Sequence, residues 1–239
     1  MGNYCNDLLI WFGRITISTM ILPIVFALYQ KKHLNKPLKL FLFYCLVTLF
    51  INLFEQWYIW ASVHIPFVHD IAIKLDRSTN FLIILYVLRD FLFIGLFYYA
   101  LLPFKYGFWV RGIAILLSIG VLINCIFIEG FIKYGIFNPT SDGIFMVVLP
   151  LFYLAFLYNA SLNIPIQKIS YFWISLGLFI PNLIGLFLYF VGDAIYGGEF
   201  CLFVYGSTVK NGFEIIGQIL MAVGFWQARY AKYLPLPNG

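Results

Sequence analysis

The 239-residue chain reads as an all-α, polytopic integral membrane protein: one domain (1–239) of seven transmembrane helices, with the N-terminus outside and the C-terminus cytoplasmic. Three observations predict this. The chain is 63% hydrophobic and only 10% charged, with mean hydropathy +0.92, far more apolar surface than a soluble core needs. Seven apolar runs each approach the roughly 20 residues of a bilayer crossing. The basic residues also gather in alternate loops.

The spans run over about 8–29, 39–62, 80–102, 108–129, 143–161, 170–192 and 201–228. With the N-terminus outside, one side holds Lys31, Lys32, Lys36, Lys39, Lys105, Arg111, Lys168, Arg229 and Lys232 and no acid. The other side mixes Asp7, Asp70, Lys74, Asp76, Arg77, Glu129, Lys133, Asp142, Asp193 and Glu199. Basic loops stay in the cytoplasm, which fixes the orientation of a chain expected in the plasma (inner) membrane. The first span follows Asp7 without an early basic cluster, so it reads as a retained helix rather than a signal peptide.

Each span carries few polar groups. The first has Arg14 about two turns in, and Pro23, a kink site. The second rises to Glu55 and a belt of Trp57, Tyr58 and Trp60, with Asn52 on nearly the same face as Glu55. The external connection 63–79 mixes His64, His69 and charged residues with apolar ones, as a surface-lying segment would. The third span places Arg89 and Asp90 about 15 Å from its outer end, and Tyr86 shares a face with Asp90. Residues 130–141, with Gly135, Asn138 and Pro139, read as an external turn. Pro150 and Pro181-Asn182 interrupt the fifth and sixth spans.

The seventh span carries Lys210, Glu214 and Gln218 four residues apart, one polar stripe on a helix, with Asn211 beside it. Charge at membrane depth costs at least a few kcal/mol, so such groups face inward and pair. Arg14, Glu55, Arg89, Asp90, Lys210 and Glu214 balance three positive charges against three negative, which predicts one buried pocket network in which Lys210 meets a carboxylate. Asn52, Tyr86, Asn182, Asn211 and Gln218 are its supporting polar groups. Cys5 and Cys201, both at external helix starts, form a candidate disulfide. The histidines and cysteines lack metal-ligand spacing, and no HExxH or GxSxG motif marks an enzyme.

Tyr86, Asp90 and Tyr99 in the third span, Phe172, Trp173 and Gly177 in the sixth, and Asn211 and Gln218 in the seventh resemble a group of small seven-helix bacterial membrane proteins. That group is often found beside sensor histidine kinases. The resemblance covers about half the chain; Pro181 stands where the group has a tyrosine, and Lys210 and Glu214 lie outside its pattern. It implies a receptor or sensor module with an outward polar pocket, signalling through a separate cytoplasmic or membrane partner such as a histidine kinase. The alternative is a transporter or channel for a small solute, an ion or protons. A minor alternative is a retinal pigment through Lys210, the cofactor being retinal. Against it, Gly206 occupies the position where microbial rhodopsins place an aspartate, and Arg89 and Asp90 are adjacent rather than three apart. No nucleic-acid partner is expected.

Overall fold

Apolar runs surrounded by lipid must satisfy their backbone polar groups within their own segment, which leaves helices as the open structure. The computed structural model describes residues 2–76, 78–128, 130, 137–160, 165–196 and 200–233, and no strand occurs among them. Side chains of residues 2–6, 191–196, 200 and 231–233 lie outside the description. The helices are α1 (Gly2–Thr19), α2 (Ile21–Tyr29), α3 (Lys36–His64), α4 (Pro66–Lys74) and α5 (Ile83–Arg89). There follow α6 (Gly95–Leu101), α7 (Phe104–Ile123), α8 (Phe137–Asn159), α9 (Ser170–Tyr196) and α10 (Phe200–Trp226). Two π-helical turns, Asp90–Ile94 and Asn124–Ile128, continue α5 and α7.

Six segments are long and apolar enough to cross a membrane: Asp7–Tyr29, Lys36–His64, Asn80–Leu101, Phe104–Ile128, Phe137–Asn159 and Ser170–Phe190. They mark a multi-pass membrane protein, and large apolar side chains such as Phe50, Leu116 and Phe187 stand exposed along them. The 27-residue α10 has the length of a seventh span but is not among the six. Its stripe of Lys210, Glu214 and Gln218 lowers its apolarity.

Local chemistry explains where the helices break. The first span is interrupted at Met20, whose N–H is shared between the carbonyls of Thr16 (3.3 Å) and Ile17 (3.2 Å), one turn before the expected kink at Pro23. The connection 63–79 contains α4, opened by Pro66 at a position where proline's missing N–H costs no helix bond. The expected turn over 130–141 is shorter than the sequence suggests, because α8 begins at Phe137. Pro139 sits in its first turn, where helices tolerate proline.

The chain divides into two compact units. The first comprises Met1–Leu42 and Gly143–Pro235; the second comprises Phe43–Asp142 with Leu236–Gly239. In the first, α10 packs along α9 and against α1 and α2. The α9–α10 contact is a glycine seam. A Cβ at Gly177 would lie 2.7 Å from the Gly217 carbonyl oxygen, and one at Gly217 only 2.6 Å from the Gly177 carbonyl oxygen and from Pro181 Cγ. Further along, a Cβ at Gly224 would lie 2.7 Å from Ile174 Cγ1. Proline at 181 has no N–H for the Gly177 carbonyl four residues back, and that carbonyl faces the bare Cα of Gly217 instead. Small residues permit this approach, and lipid-embedded helices associate through such packing.

In the second unit α5, the first π turn and α6 pack on α7. Phe91, Ile94, Phe97, Tyr98 and Leu102 are fully buried. Gly107 sits against Tyr99, whose carbonyl oxygen would be 2.9 Å from an added Cβ.

The seam makes a direct prediction. Gly217→Val should lower thermal stability in detergent by about 1–3 kcal/mol, the range of overpacking in a filled site. Gly212→Ala, on the same helix with nothing within 4 Å of its Cβ position, should leave the melting temperature unchanged or slightly raised. Equal losses in both would mean that the effect is not the seam.

Candidate functional site

The densest polar arrangement lies in the second unit, where α5 hands over to the π turn. Arg89 ends α5 and Asp90 opens the turn. The guanidinium donates two parallel bonds to its own neighbour: Nε to Asp90 Oδ1 at 2.8 Å and Nη2 to Asp90 Oδ2 at 2.7 Å. Both side chains are buried, at 9% and 6% exposure. Adjacent residues on a helix point about 100° apart, so the two cannot both face one neighbour squarely. The long arginine side chain instead folds back and closes the pair with Asp90. The reason is desolvation. Two ions out of water are tolerated when their charge-assisted bonds are short and fork-to-fork.

Two tyrosines complete the enclosure. The Arg89 guanidinium carbon lies 5.1 Å from the centre of the Tyr44 ring and 5.2 Å from that of Tyr86. An arginine held by aromatic faces keeps favourable electrostatics on the side away from its carboxylate. The Tyr44 hydroxyl hydrogen-bonds to Asp90. The Tyr86 hydroxyl donates to Glu55 Oε2 at 2.7 Å. Tyr86 therefore touches the charge pair with its ring and Glu55 with its tip. Among the described residues, this hydroxyl is the one hydrogen-bond partner recorded for the Glu55 carboxylate.

Among the described residues the cluster holds one cation, Arg89, and two carboxylates, Asp90 and Glu55. The half-buried Asp142 of the same unit adds negative charge that acts on Arg89. Its charges therefore do not cancel: the arginine is committed to Asp90, and Glu55 rests on a neutral donor.

Within the second unit, part of the predicted network is present. Glu55, Arg89, Asp90 and Tyr86 come together as described. Asn52, expected to support Glu55, turns its amide to the Thr48 carbonyl of its own helix at 2.9 Å. In the first unit Lys210 pairs with Glu214 at 3.5 Å, one turn along α10. Lys210 is not buried as the sequence suggests: its side chain is 51% exposed and that of Glu214 28%. Its stem runs over α9, where a Cβ at Gly185 would lie 3.4 Å from Lys210 Cε. Arg14 is exposed on α1 rather than enclosed, as a snorkelling side chain would be. Asn182, next to Pro181, bonds the Leu178 carbonyl at 2.7 Å, while Asn211 and Gln218 are half-buried on α10.

Tyr44 is the site residue that the sequence reading missed. A signal was present: it stands eleven residues before Glu55, three helical turns, and so shares its face. A second buried polar group was also missed. Asn124, in the second π turn, donates to Asn138 Oδ1 at 3.1 Å, and Asn138 Nδ2 lies 3.1 Å from Cys125 Sγ. Asn138 is thus a buried partner in α8 and not a loop residue. Cys201 is disulfide-bonded, and Cys45 and Cys125 are buried thiols outside any disulfide. The side chain of Cys5, the expected partner of Cys201, lies outside the described residues.

The contrast between the two ion pairs is testable. Lys210→Met and Glu214→Gln, alone or together, should each change unfolding stability in detergent by no more than about 1 kcal/mol, since half-exposed pairs are screened. A loss of several kcal/mol from Lys210→Met alone would show that this pair is buried in the working protein. Compared with known protein families, curated proteins and solved structures, the chain matches none.

Proposed function

We propose that this chain is a multi-pass membrane receptor whose polar site, built from Tyr44, Glu55, Tyr86, Arg89 and Asp90, takes a small cationic ligand at Glu55. The observation that carries this reading is the Tyr86 bridge, with a hydroxyl on Glu55 and a ring on Arg89. A cation at Glu55 competes with the tyrosine hydroxyl for the carboxylate. Moving that hydroxyl moves a ring packed on the buried charge pair, at a turn whose wider hydrogen-bonding is common at functional sites. Occupancy at the Glu55 carboxylate is thereby felt, through one tyrosine side chain, at the Arg89–Asp90 pair.

Several sequence features support the rest of the reading. Glu55 lies below the Trp57–Trp60 belt, at the end of α3 away from the basic turns, which the charge bias assigns to the outside. Seven crossings, with α10 as the seventh, give opposite locations to the two termini. Signalling then passes to a separate partner, a histidine kinase in the sense that the family resemblance implies. A second reading, ion transport, draws on the buried Arg89–Asp90 pair within a span, since intramembrane ionisable groups mark ion pathways. The pigment reading is weaker, because a Schiff-base lysine is enclosed whereas Lys210 is half exposed.

The test uses full-length protein in nanodiscs, with methylammonium and sodium as probes and hydrogen exchange as the readout. Addition of either cation should change exchange over Ile83–Ile94, and Glu55→Gln should abolish the change while Lys210→Met preserves it. An unaltered response in Glu55→Gln would overturn the assignment. Cation flux in proteoliposomes that disappears in Glu55→Gln would favour transport over reception.

A further inference from the structure

Three short 3₁₀ turns at one end of the first unit share a chemistry that the cation site does not use. They are Lys31–His33, Ile166–Lys168 and Gln227–Tyr233. The first touches the third, and α9 touches the other two. Asn35 helps to fix them: its Oδ1 caps α3 by accepting the Leu38 N–H at 3.3 Å, and its amide donates to the Tyr171 hydroxyl of α9 at 2.6 Å. The turns are basic and acid-free. No Asp or Glu lies between Asp7 and Glu55, between Asp142 and Asp193, or after Glu214.

The cations here are organised by aromatic rings. The Arg229 guanidinium carbon lies 5.6 Å from the Trp226 ring centre and 5.1 Å from that of Tyr230. Lys168 Nζ lies 5.7 Å from the same Tyr230 ring. Tyr29 stacks on Trp226 at 5.9 Å, and Phe26 meets it edge-on at 5.8 Å. Lys31, Lys32, Lys168 and Arg229 are all exposed. Ring faces hold two cationic heads close together without a carboxylate to neutralise either.

We propose that this aromatic-backed basic patch, centred on Lys168 and Arg229, binds the phosphate headgroup of an anionic phospholipid. The patch flanks the ends of the Asp7–Tyr29 and Ser170–Phe190 spans, so it stands at headgroup depth, where tryptophan and tyrosine settle and anionic lipids attract lysine and arginine. The exposed Trp226 and Tyr29 rings offer acyl-chain and glycerol contact beside the charges, which a free phosphate would leave unused. Arginine supplies a fork for two phosphate oxygens, and lysine a point charge. The lipid would join the start of α9 to the end of α10.

The test is equilibrium binding of short-chain phosphatidylglycerol to the purified full chain in uncharged detergent, against phosphatidylcholine of equal chain length. Phosphatidylglycerol should bind and phosphatidylcholine should not. Lys168→Gln should weaken binding about fivefold, and Lys168→Gln with Arg229→Gln about 25-fold, from the worth of one basic residue at an anionic surface. Arg229→Lys should retain most of the affinity, and Lys105→Gln, a basic residue of the other unit, all of it. Rising salt should weaken wild-type binding, a readout that does not depend on any variant folding. Equal binding of the two lipids, salt-independent binding, or a double variant that binds as wild type would each overturn the proposal. Displacement of phosphatidylglycerol by an equal concentration of inorganic phosphate would contradict the assignment to a lipid.

Discussion

Desolvation of charge governs the second unit. Arg89 and Asp90 stand side by side in the middle of a membrane-spanning helix, almost wholly removed from solvent. An isolated ion there costs several kcal/mol, so each needs the other and both need further partners. The surroundings follow from that need. Tyr44 offers a ring to the arginine and a hydroxyl to the aspartate, Tyr86 offers a second ring, and a π turn begins where the pair is closed. Glu55 enters through Tyr86 and not through any cation. A pair already neutralised is a poor ligand trap, whereas a carboxylate on a neutral donor is a good one. For that reason the functional reading centres on Glu55, with the ion pair as its support.

The first unit meets the same constraint differently. Its α10 carries Lys210, Glu214 and Gln218 along one face, and it is held against α9 by backbone approach rather than by bulky side chains. Gly177, Gly217 and Gly224 let the helices close until carbonyls face bare Cα atoms. Such packing does not depend on a difference in apolarity between helix and lipid, which a helix carrying Lys210, Glu214 and Gln218 could not supply. Lys210 lays its stem over Gly185 and pairs within its own helix.

Much of the architecture was legible because length and apolarity report directly on helices in lipid. The expected 8–29 and 170–192 correspond closely to Asp7–Tyr29 and Ser170–Phe190. Boundaries failed where proline was taken as a loop signal, as at Pro139, although helix first turns accept it. The site was half legible. Charge alone singled out Glu55, Arg89 and Asp90, and the shared face of Tyr86 was visible from spacing. Direction was not legible: a helical wheel gives where a Cβ points, and the arginine side chain is long enough to reverse that direction. Counting three acids against three bases suggested one network, but charge balance is equally met by separate local pairs. The glycine seam was visible as Gly177, Gly217 and Gly224, yet only the packed backbones show which carbonyl each one meets.

The measurement that bears most directly on this account is a double-mutant cycle on the buried pair, read as unfolding free energy in detergent. Asp90→Leu alone should cost about 3–5 kcal/mol, because it strands the guanidinium in an apolar setting. Arg89→Met alone should cost a similar amount by stranding the carboxylate. The double variant should recover much of the loss, leaving a coupling of at least about 2 kcal/mol. Additive losses, with the double variant as unstable as the sum of the singles, would contradict the claim that each charge is held in place by the other.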